Sequence, residues 1–137
     1  MKTKTLDEMF QESHDAIFAS GAFSAYGWWL DLESMHMNTI DGMVPSYWGY
    51  RLTGEGPEED DAPVSVEIWH TTLTGIMRRI ADGDFGGEAD LVPPTRCVGS
   101  KTAEECANFL AGRETDFDAD TADQVLQALV YGGVVFG

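Results

Sequence analysis

The chain is 137 residues long and carries 24 Asp or Glu against 8 Lys or Arg, a formal net charge of −16. That length fits one domain, 1–137, large enough to bury a core, and 43% hydrophobic with 11% aromatic residues is too apolar for a disordered acidic chain. The charge argues against direct binding to nucleic acid or anionic lipid, which both repel an acidic surface, and no run approaches the ~18 apolar residues of a membrane span.

The charge is spread evenly: −5 over residues 1–50 (2 basic, 7 acidic), −6 over 51–100 (4 and 10) and −5 over 101–137 (2 and 7). An acidic surface all round is expected, not an acidic tail on a neutral body. No basic start followed by an apolar run marks a secretion signal. Cys97 and Cys106 lie nine positions apart with no C-x-x-C and no histidine at metal spacing. Free thiols and a cytoplasmic location are the expectation.

The first helix is predicted from Leu6 to Ser20. Thr5 and Glu8 have the spacing of a capping box, Leu6, Met9, Phe10 and Ile17 form an apolar stripe, and Gly21 is a stop. Three strands follow. In Ala25–Leu32, Tyr26, Trp28, Leu30 and Leu32 share a face, with Asp31 and Glu33 opposite. In Ser46–Thr53, Trp48, Tyr50 and Leu52 alternate with Arg51 and Thr53. In Val64–His70, Val64, Val66 and Ile68 alternate with Ser65 and Glu67. Met35–Met43 has room for a turn of helix. Between the second and third strands, Glu55-Gly56-Pro57-Glu58-Glu59-Asp60-Asp61 reads as an exposed loop.

Helices close the chain. Leu73, Ile76, Met77 and Ile80 recur at i, i+3, i+4 and i+7 before Gly83. Thr102 and Glu105 are spaced as a second capping box before Ala103, Cys106, Ala107 and Leu110. Asp120 is placed to cap a last helix with the stripe Ala122, Val125, Leu126 and Leu129, stopped by Gly132. The order is αβββααα, a small antiparallel three-stranded sheet with about four helices, in the α+β class.

Two Glu-x-x-His motifs, Glu33 to His36 and Glu67 to His70, have the spacing used in carboxylate-bridged di-metal helices. Both fall on or beside strand-like segments, where residues three apart face opposite sides, so no metal is expected there. Asp116-Phe117-Asp118-Ala119-Asp120 opens like a calcium loop, but Thr121 and Gln127 stand where the turn glycine and the bidentate glutamate belong. An acidic turn at a helix start accounts for it without a cofactor. No G-x-S-x-G elbow and no glycine-rich phosphate loop occurs, and His14 lacks a catalytic context. A non-enzymatic protein follows. Trp29, Tyr47 and Trp69 share the parity opposite the main apolar face, so they are either covered by helices or form an exposed aromatic patch.

The end of the chain, the acidic turn Asp116 to Asp120, the Asp123-Gln124-Val125-Leu126-Gln127 helix and the apolar close Val134-Val135-Phe136-Gly137, resembles the C-terminus of uncharacterised small acidic proteins of actinobacterial phages and mobile elements. The resemblance covers about the last 35 residues and implies an origin, not an activity.

The expectation from charge and resemblance together is an acidic interaction protein, an inhibitor that mimics nucleic-acid charge and blocks a basic nucleic-acid-binding host protein. Glu55, Glu58, Glu59, Asp60, Asp61, Asp116, Asp118 and Asp120 would supply the electrostatic contact, and Trp29, Tyr47 and Trp69 an aromatic one. Two alternatives stand beside it. One is a small metal-dependent enzyme using Glu33, His36, Glu67 and His70; the other is an assembly module that homodimerises through the aromatic sheet face.

Overall fold

In the computed structural model, which describes residues 5–35, 48–86 and 91–137, Thr5 opens helix α1 (Leu6–Phe18). Its hydroxyl accepts the Glu8 amide at 3.1 Å and donates to the Glu8 carboxylate at 3.2 Å. Phe10, Ser13 and Ile17 turn the inner side of the helix into the core, while Met9 of the predicted stripe is 38% exposed. Gly21, at φ 88, redirects the chain into a one-turn helix, α2 (Ala22–Ala25), where a strand was expected to begin. Among the described residues the architecture is therefore four long helices plus this turn, around one sheet. It is α+β, in the order helix, strands, helices.

Strands β1 (Trp29–Ser34), β2 (Gly49–Gly54) and β3 (Val64–Trp69) form an antiparallel sheet in the order β1-β2-β3. The register places Asp31 opposite Thr53 and Thr53 opposite Ser65, and Glu33 opposite Arg51 and Arg51 opposite Glu67. Between Trp29 and Asp31 the pairing carries an irregularity. A bulge of this kind adds one residue and reverses the side-chain parity that precedes it. Hence Trp29 points into the core and Leu30 is 50% exposed, the reverse of the expected assignment. Leu52 and Ile68 on the inner face are fully buried, as their alternation required.

Helix α3 (His70–Ala81) starts directly after β3, and Leu73, Ile76, Met77 and Ile80 are all buried. Helices α4 (Ser100–Leu110) and α5 (Ala119–Tyr131) pack on it and on each other. Two predicted caps are corrected here. Gly99, not a Thr102–Glu105 box, precedes α4. Its amide donates to Gln124 Oε1 at 2.8 Å, and the buried Thr102 hydroxyl donates to the same oxygen at 3.1 Å. Because the helix starts at Ser100, Thr102 already lies inside the first turn and faces α5. Asp118, not Asp120, caps α5, accepting the Thr121 amide at 2.8 Å. Gly132, at φ 78, ends α5 as its position predicted. The tail then returns along Arg96, with Arg96 and Val134 exchanging both backbone hydrogen bonds at 2.8 and 3.0 Å. The turn proposed for Met35–Met43 falls outside the described residues except at its first. No helix among the described residues is long and apolar enough to cross a membrane.

Candidate functional site

Alternation on three paired strands puts a second set of side chains on the face of the sheet away from the core. One row across the strands is Asp31, Thr53 and Ser65, and the Thr53 and Ser65 hydroxyls bond at 2.8 Å. The next row is Glu33, Arg51 and Glu67, in which Arg51 Nη2 lies 3.5 Å from Glu67 Oε1 with both side chains half exposed. At the far end Trp69 lies over Gly49, where any Cβ would run into its ring. At the other end the β2–β3 connection carries Glu55, Glu58, Glu59, Asp60 and Asp61, all exposed. The connection has a defined shape. Asp61 N–H donates to Glu58 O at 2.9 Å, Glu58 N–H to Asp61 Oδ2 at 3.2 Å, and the Tyr131 hydroxyl to Glu55 O at 2.5 Å. No lysine or arginine among the described residues pairs with these five carboxylates. Face and connection together therefore present eight carboxylates, three on strands and five in the loop, against Arg51.

The second acidic group expected to share the field lies elsewhere. Asp116, Asp118 and Asp120 flank the start of α5, whereas Glu55 touches Tyr131 at its end, about 20 Å away along a 13-residue helix. Lys101 already sits among them, 2.7 Å from Asp118 and 3.7 Å from Asp116. The hydrogen bond from Lys101, followed by that from the Thr121 amide, holds the Asp118 carboxyl down at about 2. The two acidic groups do not merge into one patch.

The aromatic set separates too. Trp29 is 8% exposed, with its indole N–H bonded to Asp123 Oδ1 at 2.7 Å, so it cannot belong to a surface patch. The bulge explains that correction. Trp69 stays on the outer face, and Tyr47 lies outside the described residues. Of the Glu-x-x-His residues, Glu33 and Glu67 flank Arg51 on the outer face, while His70 heads α3 and bonds Ser13 Oγ through Nδ1 at 2.7 Å. Glu67 and His70 thus diverge, and His36 lies outside the described residues. No three metal-ligating side chains converge among the described residues.

Ser13 and His70 together invite a nucleophile-and-base reading, which the surroundings oppose. Ser13 is fully buried, and its hydroxyl also bonds Phe10 O at 3.0 Å and the Trp48 indole N–H at 3.2 Å. His70 stands edge-on to Phe10, with ring centres 4.4 Å apart, and burial lowers its pKa. A nucleophile needs access to a substrate carbon, and this hydroxyl has none. The group ties α1 to α3 and the start of β2. His14, the next residue, bonds the Tyr50 hydroxyl at 2.9 Å and so links α1 to β2.

The most elaborate polar arrangement was not singled out from the sequence. Asp123, 2% exposed on α5, accepts Trp28 and Trp29 indole N–H groups on Oδ1 at 2.9 and 2.7 Å, and Gln127 Nε2 on Oδ2 at 2.7 Å. Gln127, fully buried, then takes the Val135 and Phe136 amides on Oε1 at 2.7 and 2.8 Å and donates to Phe136 O at 3.0 Å. Burial, the largest effect, raises the Asp123 pKa against the lowering by its three donors. The local sequence signal is an Asp and a Gln four apart on the last helix; the indoles that bond Asp123 stand more than 90 positions away. Neither a family model, nor a curated protein, nor a solved structure matches the chain.

Proposed function

We propose that this is a non-enzymatic interaction protein that docks its acidic sheet face on a basic, nucleic-acid-binding partner and competes there with nucleic acid. One observation carries the reading: Asp31, Glu33 and Glu67 continue into the shaped 55–61 loop, and eight exposed carboxylates face a single arginine. Carboxylates on a rigid sheet at strand spacings of about 4.8 Å form a fixed array of negative charge, which steers association with a basic groove. Trp69 at the end of the face offers one aromatic contact. The C-terminal likeness to small phage proteins fits an inhibitor of a host protein, and the free thiols of Cys97 and Cys106 fit a reducing cytoplasm. The same charge weighs against homodimerisation through this face, because a second copy would bring eight carboxylates against eight.

The test is capture of heparin-binding proteins from a bacterial lysate on the immobilised protein. A specific partner should be held at 0.1 M salt and released at 1 M, as the Debye length falls from about 10 Å to about 3 Å. Duplex DNA should displace it, and the Glu58→Lys, Glu59→Lys, Asp60→Lys, Asp61→Lys variant should fail to hold it. A partner retained at both salt concentrations, and equally by the variant, would mean that the acids confer solubility and another surface makes the contact.

A further inference from the structure

Strand β1 is an edge of the sheet. The order is β1-β2-β3, and among the described residues no strand or bridge pairs with β1 on the side away from β2. Helices α3 and α5 contact β3, the other edge strand, while β1 packs mainly on β2. An uncovered edge presents a row of unpaired amides and carbonyls, open to another strand. The ladder identifies them. Met35 N–H donates to Gly49 O at 2.9 Å, and along an antiparallel pair the residues that bond across alternate with those that do not. Glu33 and Asp31 therefore turn their main-chain groups to β2, as Met35 does, and Leu32 and Ser34 turn theirs outward.

The side chains beside that row decide what can be added. Asp31 and Glu33 stand exposed on the outer face, and neither forms an ion pair among the described residues, since Arg51 pairs with Glu67. Leu32, on the inner face, packs against the core but is only partly buried, and Leu30 at the bulge is half exposed. Acids on an edge strand keep two copies from pairing, because an added copy of β1 would set acid beside acid. The same acids favour a strand of opposite charge.

We propose that an extended basic segment of the partner adds to β1 as a further antiparallel strand, with lysines or arginines beside Asp31 and Glu33 and apolar side chains beside Leu32. The inference rests on the docking reading for the sign of the partner's charge and adds the mode of contact. Main-chain hydrogen bonds to Leu32 and Ser34 give such a contact its affinity, and the alternating side chains give it specificity. Directly opposite residues of an antiparallel pair lie on the same face, so the incoming residues that bond Leu32 and Ser34 are the apolar ones. The basic residues between them point their amides away from β1. Their side chains lie over the outer face, where they extend the row of Glu33, Arg51 and Glu67 with the cation that Glu33 lacks.

The probe is the peptide Ac-Lys-Val-Lys-Val-Lys-Val-Lys-NH2, added to ¹⁵N-labelled protein while amide shifts and hydrogen exchange are followed by NMR. Saturable shifts along β1 are expected, with exchange of the Leu32 and Ser34 amides slowed about tenfold or more. Methylating the valine nitrogens removes the donors that face β1 and keeps every charge, and should weaken binding about tenfold or more. Methylating the lysine nitrogens, which point away, should leave binding in place. Glutamate in place of lysine in the peptide should abolish binding, as should Asp31→Lys with Glu33→Lys in the protein, exposed positions at which the melt stays put. A valine-methylated probe that binds as tightly as the parent, a glutamate probe that binds equally, or unprotected Leu32 and Ser34 amides at saturation would overturn the proposal. The two readings fail separately. A lysate partner that is held through the 58–61 acids while Leu32 and Ser34 exchange as in the free protein keeps the docking reading and refutes strand addition. A peptide that protects both amides, with no partner held from the lysate, supports strand addition and refutes docking on a nucleic-acid-binding protein.

Discussion

On the outer face of the sheet Asp31, Glu33 and Glu67 stand exposed around Arg51, whereas on the inner side Asp123 is closed in by Trp28, Trp29 and Gln127. The residue types are alike, but the physical situations differ. An exposed carboxylate keeps its hydration, contributes to the long-range field and interacts only weakly with its neighbours. A buried one loses hydration and persists only where donors replace the water, so it becomes part of the architecture. A net charge of −16 counts both kinds equally and distinguishes neither.

That contrast can be tested on one helix. Leu126→Asp puts a carboxylate three positions after Asp123, at a fully buried site built for an apolar side chain. With no donors prepared for it, stability should drop by about 3–5 kcal/mol in a thermal or denaturant melt. An unchanged midpoint would mean that α5 does not bury this face.

Asp123→Ala makes the complementary change. It strips the acceptor from two indole N–H groups and frees Gln127, with the cost of each buried unsatisfied donor about 1–3 kcal/mol. A loss of about 2–4 kcal/mol is expected, with the near-ultraviolet tryptophan signal altered, since Trp28 is only half buried and can find water.

Acid separates the two kinds of carboxylate more gently. The Asp118 pKa is depressed from 3.8 to about 2, so its contribution is present above 3.8 and is lost as pH falls from 3.8 to about 2. Asp123 runs the other way. Its raised pKa means the native protein binds the proton more readily than the unfolded chain, so the penalty of its burial is present above its folded pKa and fades as pH falls through it. Carboxyl NMR should find Asp118 titrating near 2 and Asp123 above 3.8. Asp118→Asn should lose less stability than wild type across the window from 3.8 to about 2.

The smallest effect belongs to the outer face. Reversing Glu58, Glu59, Asp60 and Asp61 to Lys should leave the melt almost unmoved, because exposed charges contribute about 0–1 kcal/mol each. A large loss of stability there would show that the loop carboxylates belong to the architecture and would weaken the docking reading.

Local chemistry made much of this fold legible. The Thr5–Glu8 start, the Leu73–Ile76–Met77–Ile80 stripe, the Gly132 stop and the alternation along β2 and β3 depend on residues within a few positions of each other, where backbone geometry alone decides which side chains meet. The same alternation on paired strands implied an outward row of Asp31, Glu33, Arg51 and Glu67, although its continuity with the 55–61 loop needed the register. The rest required tertiary structure. A bulge turned Trp29 inward because the strand had to fit its β2 partner, and Gln124 replaced a local cap because α5 packs beside the start of α4. The acids at the start of α5 were parted from those of the loop by the length of that helix. Asp123 gained its meaning from indoles more than 90 positions away. Sequence determines which groups are available within a turn or a strand; burial and distant donors decide whether a carboxylate is surface charge or core, because desolvation depends on everything packed around it.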